Sequence, residues 1–396
     1  MPRPASLRSI GQRVALATGV CALLVGCADV TAPDATPSSD APRSTTTEPS
    51  SAAPRPTTTE PAAGSTHAIL VPDATTHLGA TWFSPPEPAA AGVIEQRWVE
   101  VQQASSVGRV MFDWIDVEPE QGDYRFDELD EALGELVDGG LSPMVTIAAT
   151  DVSGTEFPDW LGGFDPETAA NAYVSMLDAA LEMLREHGVW TLAIANEPPL
   201  AGEELDLDDF ATFVAAVEER AEVLAPDLPI TFTFAGADPF IDSPAIDRMI
   251  DAVDVFSVNH YCIEADLLRR PLSEATERID RLVERAGDLP IVFQEFGCPA
   301  GEANGSSDTD QLAWFEVALD HVDSIEQVRA AFVFEFLDWS ASTFELDFGA
   351  DLEGLRDELG PEFVERFESW LLTSGLVRSD GSTRPAFDAF LEASAT

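Results

Sequence analysis

The feature that most constrains this chain is a repeated alternation. From about residue 68 onward, short apolar runs alternate with amphipathic stretches at helical spacing. The runs are Leu78–Trp82, Val107–Trp114, Pro143–Ala148, Trp190–Ala195, Ile230–Phe234, Val255–Asn259, Ile291–Glu295 and Ala331–Phe336. Runs this short, separated by amphipathic stretches, fit strands of a sheet covered by helices. The spacing predicts helices over Phe126–Asp138, Thr168–His187, Asp209–Leu224, Leu272–Ala286 and Thr309–Val322. Asp165 and Pro166 suit the start of the second of these, and Gly188 its end. Eight strands alternating with helices over some 330 residues predict an α/β fold, a (β/α)8 or TIM barrel forming one domain. An open doubly wound sheet is the alternative. Its dinucleotide-binding form is disfavoured, because no Gly-x-Gly-x-x-Gly follows the first strand.

The residues before the barrel read as an address and a tether. Arg3, Arg8 and Arg13 precede an apolar run, Val14 to Val25, too short to span a bilayer. Leu24-Val25-Gly26-Cys27 resembles a bacterial lipobox, which implies that residues 1–27 are a lipoprotein signal peptide and that Cys27 is lipidated. An ordinary signal peptide cut nearby is the alternative. Residues 28–65 contain 21 Pro, Ser or Thr and almost no large apolar side chain, so they are expected to form a disordered linker. The folded domain is then 66–396, lipid-anchored on the outer side of a bacterial cell membrane.

Charge excludes one class of function. The chain has 72 Asp and Glu against 21 bases, all of them Arg, for a formal charge of −51. Such a surface repels phosphate, so no nucleic-acid partner is expected. The acidity fits either a saline habitat or an Arg-biased genome. The five histidines, His67, His77, His187, His260 and His321, lack zinc-like spacing, so no metal is expected. Gly-x-Ser-x-Gly is absent, which disfavours a Ser-His-Asp hydrolase.

In a parallel barrel the C-terminal strand ends share one mouth. Here they carry Thr81-Trp82, Asp113-Trp114, Asn196-Glu197-Pro198, Asn259-His260-Tyr261, Gln294-Glu295-Phe296-Gly297 and Asp338-Trp339. Glu197 and Glu295, on strands four and seven, are placed to face each other across that mouth. Glycosidic cleavage needs such a pair, one carboxyl to protonate the leaving oxygen and one to attack C1. A charged Glu295 disfavours ionisation of Glu197, so the two roles separate naturally.

These residues resemble the clan A retaining glycoside hydrolases, which include the cellulase- and mannanase-like family 5 and the xylosidase-like family 39. The resemblance covers residues 75–393. It implies that Glu197 is the acid/base, that Glu295 is the nucleophile and that Asn196 binds the sugar 2-hydroxyl. It further implies that Tyr261 and Arg109 contact the nucleophile and that Trp339 floors the sugar site. Trp114…Glu118-Pro119…Gly122-Asp-Tyr124-Arg-Phe126…Asp130 and Gly375-Leu-Val-Arg-Ser-Asp380-Gly381-Ser-Thr-Arg-Pro385-Ala resemble two further signatures of the clan. Three positions depart from it. Asn259 stands where family 5 usually has His, Gln294 where Gly, Thr or Ser is commoner, and no His ends strand three.

Other assignments stay open. Trp82, Phe83 and Trp160 suit either sugar stacking or packing. His260 suits either sugar contact or a structural place. Glu118 reads as loop architecture. Cys262 and Cys298, after neighbouring strands, are either a disulfide or two buried thiols. The expected function is a retaining β-glycosidase acting as a monomer, without cofactor, on an oligo- or polysaccharide. The alternative is a catalytically silent glycan-binding barrel.

Overall fold

The computed structural model describes residues 76–81, 90–151, 154–198, 205–349 and 352–394. The signal peptide, Cys27, the linker, Trp82 and Phe83 lie outside these described residues. Among the described residues, no helix is long and apolar enough to cross a membrane.

Eight parallel strands form the centre: β1 (His77–Ala80), β2 (Val107–Asp113), β3 (Ser142–Ala148), β4 (Thr191–Asn196), β5 (Ile230–Phe234), β6 (Phe256–Tyr261), β7 (Ile291–Gly297) and β8 (Val328–Val333). Each pairs with its sequence neighbour from β2 through β8, and β8 pairs with β1. The seam between β1 and β2 is drawn together by the Ser106 N–H, which donates to the Leu78 carbonyl at 3.2 Å. Gly79 permits this approach, since a Cβ there would lie 2.6 Å from the Val107 carbonyl oxygen and 2.8 Å from the Phe332 ring. The result is the (β/α)8 barrel architecture the alternation implies.

Helices cover the outside: α1 (Ala91–Ala104), α2 (Asp127–Asp138), α3 (Pro166–Glu186), α4 (Leu207–Leu224), α5 (Pro244–Ala252), α6 (Ala275–Ala286) and α7 (Asp308–Asp323). Their apolar faces pack on the sheet, as with Leu129, Leu133 and Leu136 of α2. Asp165 caps α3 by accepting from the Thr168 N–H at 2.9 Å, with Pro166 in the first turn. After β8 the chain inserts α8 (Ala341–Phe348), α9 (Leu352–Leu359) and α10 (Pro361–Thr373) before the closing helix α11 (Pro385–Ser394). These inserted helices build a second apolar cluster with Leu267 and Phe334, against which Tyr261, Trp339 and Trp370 pack.

Inside the barrel, the lower layer is apolar, with Val107, Met144, Trp190, Val255, Val292 and Phe332. The layer above it is polar. Thr146, Thr233, Ser257 and Gln294 are all fully buried there, directly beneath the mouth.

Candidate active site

Glu197 follows the last residue of β4, where the chain turns. Its φ of 44° is left-handed, a region that non-glycine residues seldom adopt. Its N–H donates to the Thr233 carbonyl at 2.8 Å. Its Oε1 accepts from Asn259 Nδ2 at 2.8 Å. Burial pushes the Glu197 carboxyl well above the usual carboxylate range, and the negative charge of Glu295 pushes in the same direction. The Asn259 hydrogen bond opposes this shift. The Asn that departs from the family 5 pattern thus touches the expected acid directly.

Glu295, on β7, lies beside Asn259 in the β6–β7 ladder. Two donors from other strands reach its carboxylate. Arg109 Nη1, from β2, donates to Oε1 at 3.2 Å, and the Tyr261 hydroxyl, from β6, donates to Oε2. The Tyr261 hydroxyl is pushed well above its ordinary value, first by burial and then by Glu295 and Glu197, so it remains a donor. The Arg109 and Glu295 side chains are 1% and 9% exposed, so their ion pair is shielded from water.

Asn196, at the end of β4, donates from Nδ2 to Asp151 Oδ1 at 2.8 Å and accepts at Oδ1 from Gln294 Nε2 at 2.6 Å. Asp113 ends β2 nearby. Burial pushes its carboxyl up to about 8, helped by the charges of Asp151, Glu156 and Asp116.

Two expected positions need correction. His260 is not in the mouth. Successive strand residues face opposite ways, so with Asn259 and Tyr261 at the site His260 points outward. Its ring lies 5.7 Å from Phe296, 5.9 Å from Phe293 and 6.0 Å from Trp314. Burial, with Arg278 and Arg270 nearby, lowers its imidazole well below the ordinary range, so it is neutral. It is a structural residue under α7. Trp339 does not end β8, because that strand stops at Val333. Phe334 takes the strand-end position, edge-on to the Tyr261 ring at 5.6 Å. Trp339 lies beyond it, stacked on Phe348 at 5.9 Å, and its Nε1 donates to Glu335 Oε1 at 2.6 Å.

Glu335 itself was not anticipated from sequence. It is buried beside this Trp, and burial raises its carboxyl well above the ordinary range, with Glu295 and Asp338 adding to the effect. Its signal in the sequence is an acid inside an otherwise apolar Phe-Glu-Phe run. Glu118 is architectural: it accepts from Trp114 Nε1 at 3.1 Å and from the Gly122 N–H at 2.9 Å, pinning the loop after β2. Trp160 joins that loop by donating to the Glu118 carbonyl at 3.0 Å. In the closing segment, Arg384 Nη1 reaches Asp338 Oδ2 at 2.7 Å. Cys262 and Cys298 form a disulfide with Cα atoms 5.0 Å apart, joining the chain just past Tyr261 to the chain just past Gly297. Among the described residues, no group of three or more His, Cys, Asp or Glu is placed to hold a metal ion.

No protein-family model and no curated protein matches the sequence. Solved structures do match in fold. A GH5_18 protein from Streptomyces cattleya, solved in complex with Manb1-4GlcNAc, superposes with a TM-score of 0.61 at 14% identity, covering 81% of this chain and 80% of that one. A family 39 glycoside hydrolase from the gut symbiont Bacteroides cellulosilyticus gives 0.54 at 15%, covering 81% and 64%. An exo-beta-1,4-mannosidase from an Opitutaceae bacterium gives 0.58 at 15%, covering 81% and 59%. At such identities the likeness establishes the barrel fold. Its neighbours in that fold are glycoside hydrolases.

Proposed function

We propose that this protein is a retaining β-glycosidase in which Glu295 is the nucleophile and Glu197 the general acid/base. The observation that carries the reading is the opposite treatment of two carboxyl groups at one barrel mouth. Glu295 receives a guanidinium and a phenol hydroxyl, both suited to an anion. Glu197 is buried, feels the charge of Glu295 and is thereby held protonated. The anion attacks C1 while Glu197 delivers its proton to the leaving oxygen. Once Glu295 is esterified its charge is gone, Glu197 acidifies, and it can take a proton from the incoming water. Hydrolysis of the ester restores both groups.

The substrate class in this reading is a β-linked glycan, held by Asn196, Arg109 and Tyr261 around the reacting sugar, with Phe334 and Trp339 as the aromatic side. A mannoside or glucoside suits it, since the fold neighbours include a mannosidase and a beta-glucosidase. The lipobox and linker support placement of the barrel outside the cell, tethered through Cys27.

The test is inactivation by 2-deoxy-2-fluoro β-glycosides. A panel that includes the manno and gluco forms is expected to leave a fluoroglycosyl ester on the peptide carrying Glu295. If no member labels the folded protein and none is turned over, yet oligosaccharides bind, the chain is a glycan-binding barrel and the hydrolase reading is wrong.

A further inference from the structure

The polar layer beneath the mouth has a direction, and that direction can be worked out from one end. Asp151 is a carboxylate and offers only acceptor oxygens. Its Oδ1 lies 2.8 Å from the Asn196 amide, so Asn196 must turn its NH2 group toward Asp151. The Asn196 carbonyl oxygen then faces Gln294, which must present its own NH2 group at 2.6 Å. The Gln294 Oε1 is thereby turned to the far side, where Thr233 Oγ1 lies at 2.6 Å and Thr146 Oγ1 at 3.2 Å. Both hydroxyls must donate to it. With the Thr233 proton committed, Ser257 Oγ at 2.9 Å donates in turn to Thr233. The proton order therefore runs from Ser257 and the two threonines through Gln294 and Asn196 to Asp151, and every link spans a different strand or loop of the barrel.

We infer that Gln294 is a positioning residue that fixes which face of the Asn196 amide meets the sugar. This rests on the reading of the site given above. Asn196 has two amide protons, and the order above turns that NH2 group away from Gln294; one proton goes to Asp151, and the second is the one the amide offers to a sugar. Held this way, Asn196 is a donor to the cleft, and it selects a sugar that offers an acceptor oxygen there, which the resemblance places at C2. Gln294 is fully buried beneath Asn196, so its route to substrate is through that amide. It acts by occupying the Asn196 carbonyl, so that the amide cannot turn over and present oxygen to oxygen. Buried networks of this kind specify one arrangement only when each member is satisfied, and this one is satisfied from both ends.

The test compares kcat/KM for an aryl β-glycoside and its 2-deoxy counterpart. Gln294→Met keeps the volume and removes the amide. It is expected to lower kcat/KM ten- to a hundred-fold on the 2-hydroxy substrate and less than three-fold on the 2-deoxy one. Added to Asn196→Ala, it should cause no further loss, because it works through that residue. Thr233→Val, a milder change, should move the same ratio in the same direction by three- to ten-fold, and it carries the test should Gln294→Met not fold. Equal losses on both substrates, additive losses with Asn196→Ala, or a Thr233→Val protein with an unchanged ratio would overturn the inference while leaving the hydrolase reading intact. A wild-type chain that neither turns over nor is labelled by any glycoside defeats the site reading itself, and this inference with it.

Discussion

Removing the Arg109 guanidinium should cost stability as well as activity, and the size of the loss follows from the geometry. Arg109 Nη1 lies 3.2 Å from Glu295 Oε1, with the two side chains 1% and 9% exposed. At that distance and an effective dielectric near 20, the attraction is about 5 kcal/mol. Burial of both charges offsets much of this in the intact pair. Deleting one partner leaves the other charge buried and unmatched, which in comparable sites costs roughly 3–5 kcal/mol. For a domain of this size that is a fall in Tm of about 4–7 °C. Arg109→Met, followed by urea unfolding at neutral pH, measures it. The double variant Arg109→Met with Glu295→Gln removes the stranded charge and should regain at least half of the loss. A single-variant loss below about 1 kcal/mol, or a double variant no more stable than the single one, would refute the buried pair as the holder of Glu295.

Three further outcomes follow from the same contacts. On the proposed mechanism Glu197→Gln removes the proton donor, so kcat/KM should fall by two orders of magnitude or more on substrates with poor leaving groups, and far less on dinitrophenyl glycosides; steady-state kinetics across a leaving-group series reads this. Asp238 is buried and pushed up to about 8, chiefly by burial. Between pH 3.8 and 8 the native state therefore keeps a proton that the unfolded chain has released, and native stability declines as pH rises through that window. Asp238→Asn escapes the decline, so its Tm advantage over wild type should be small at pH 5 and grow toward pH 8. Replacing Cys262 and Cys298 by Ser opens a loop closed across a sequence separation of 36, and denaturant melts should show a loss of roughly 4 kcal/mol by chain entropy.

Much of the fold was legible because buried parallel strands are short, continuous and apolar, and the helices between them carry a 3.6-residue period. Every one of the eight runs overlaps an observed strand. The errors lie where that signal has no edge. The run Ala331–Phe336 is apolar but for Glu335, yet the ladder of β8 ends at Val333 and the rest is buried chain outside the strand, so Trp339 stands farther from the strand end than the sequence suggested. Burial alone does not separate strand from other packed chain. His260, open in sequence between sugar contact and a structural place, is decided by the pleat: neighbours in a strand lie on opposite faces, so it faces away from the side that Tyr261 occupies. The inserted helices α8 to α10 follow β8, where the alternation no longer predicts what comes next. The polar order through Gln294 joins five strands and the segment after β3 that carries Asp151, and contacts at such separations leave no local mark.

The left-handed turn at Glu197 has a consequence for how this barrel would age without its chemistry. That backbone setting suits glycine, and asparagine next, better than a long acid. The side chain there is also forced into a dry place beside another carboxyl group. Glu197 is therefore opposed twice over, by its own dihedral and by its surroundings. If the proposed hydrolysis is this barrel's work, a descendant freed from it would gain stability by abandoning the acid at this position first, so silence in such a lineage should begin at the corner after β4 and not at Glu295, whose guanidinium and phenol partners would go on holding it in place.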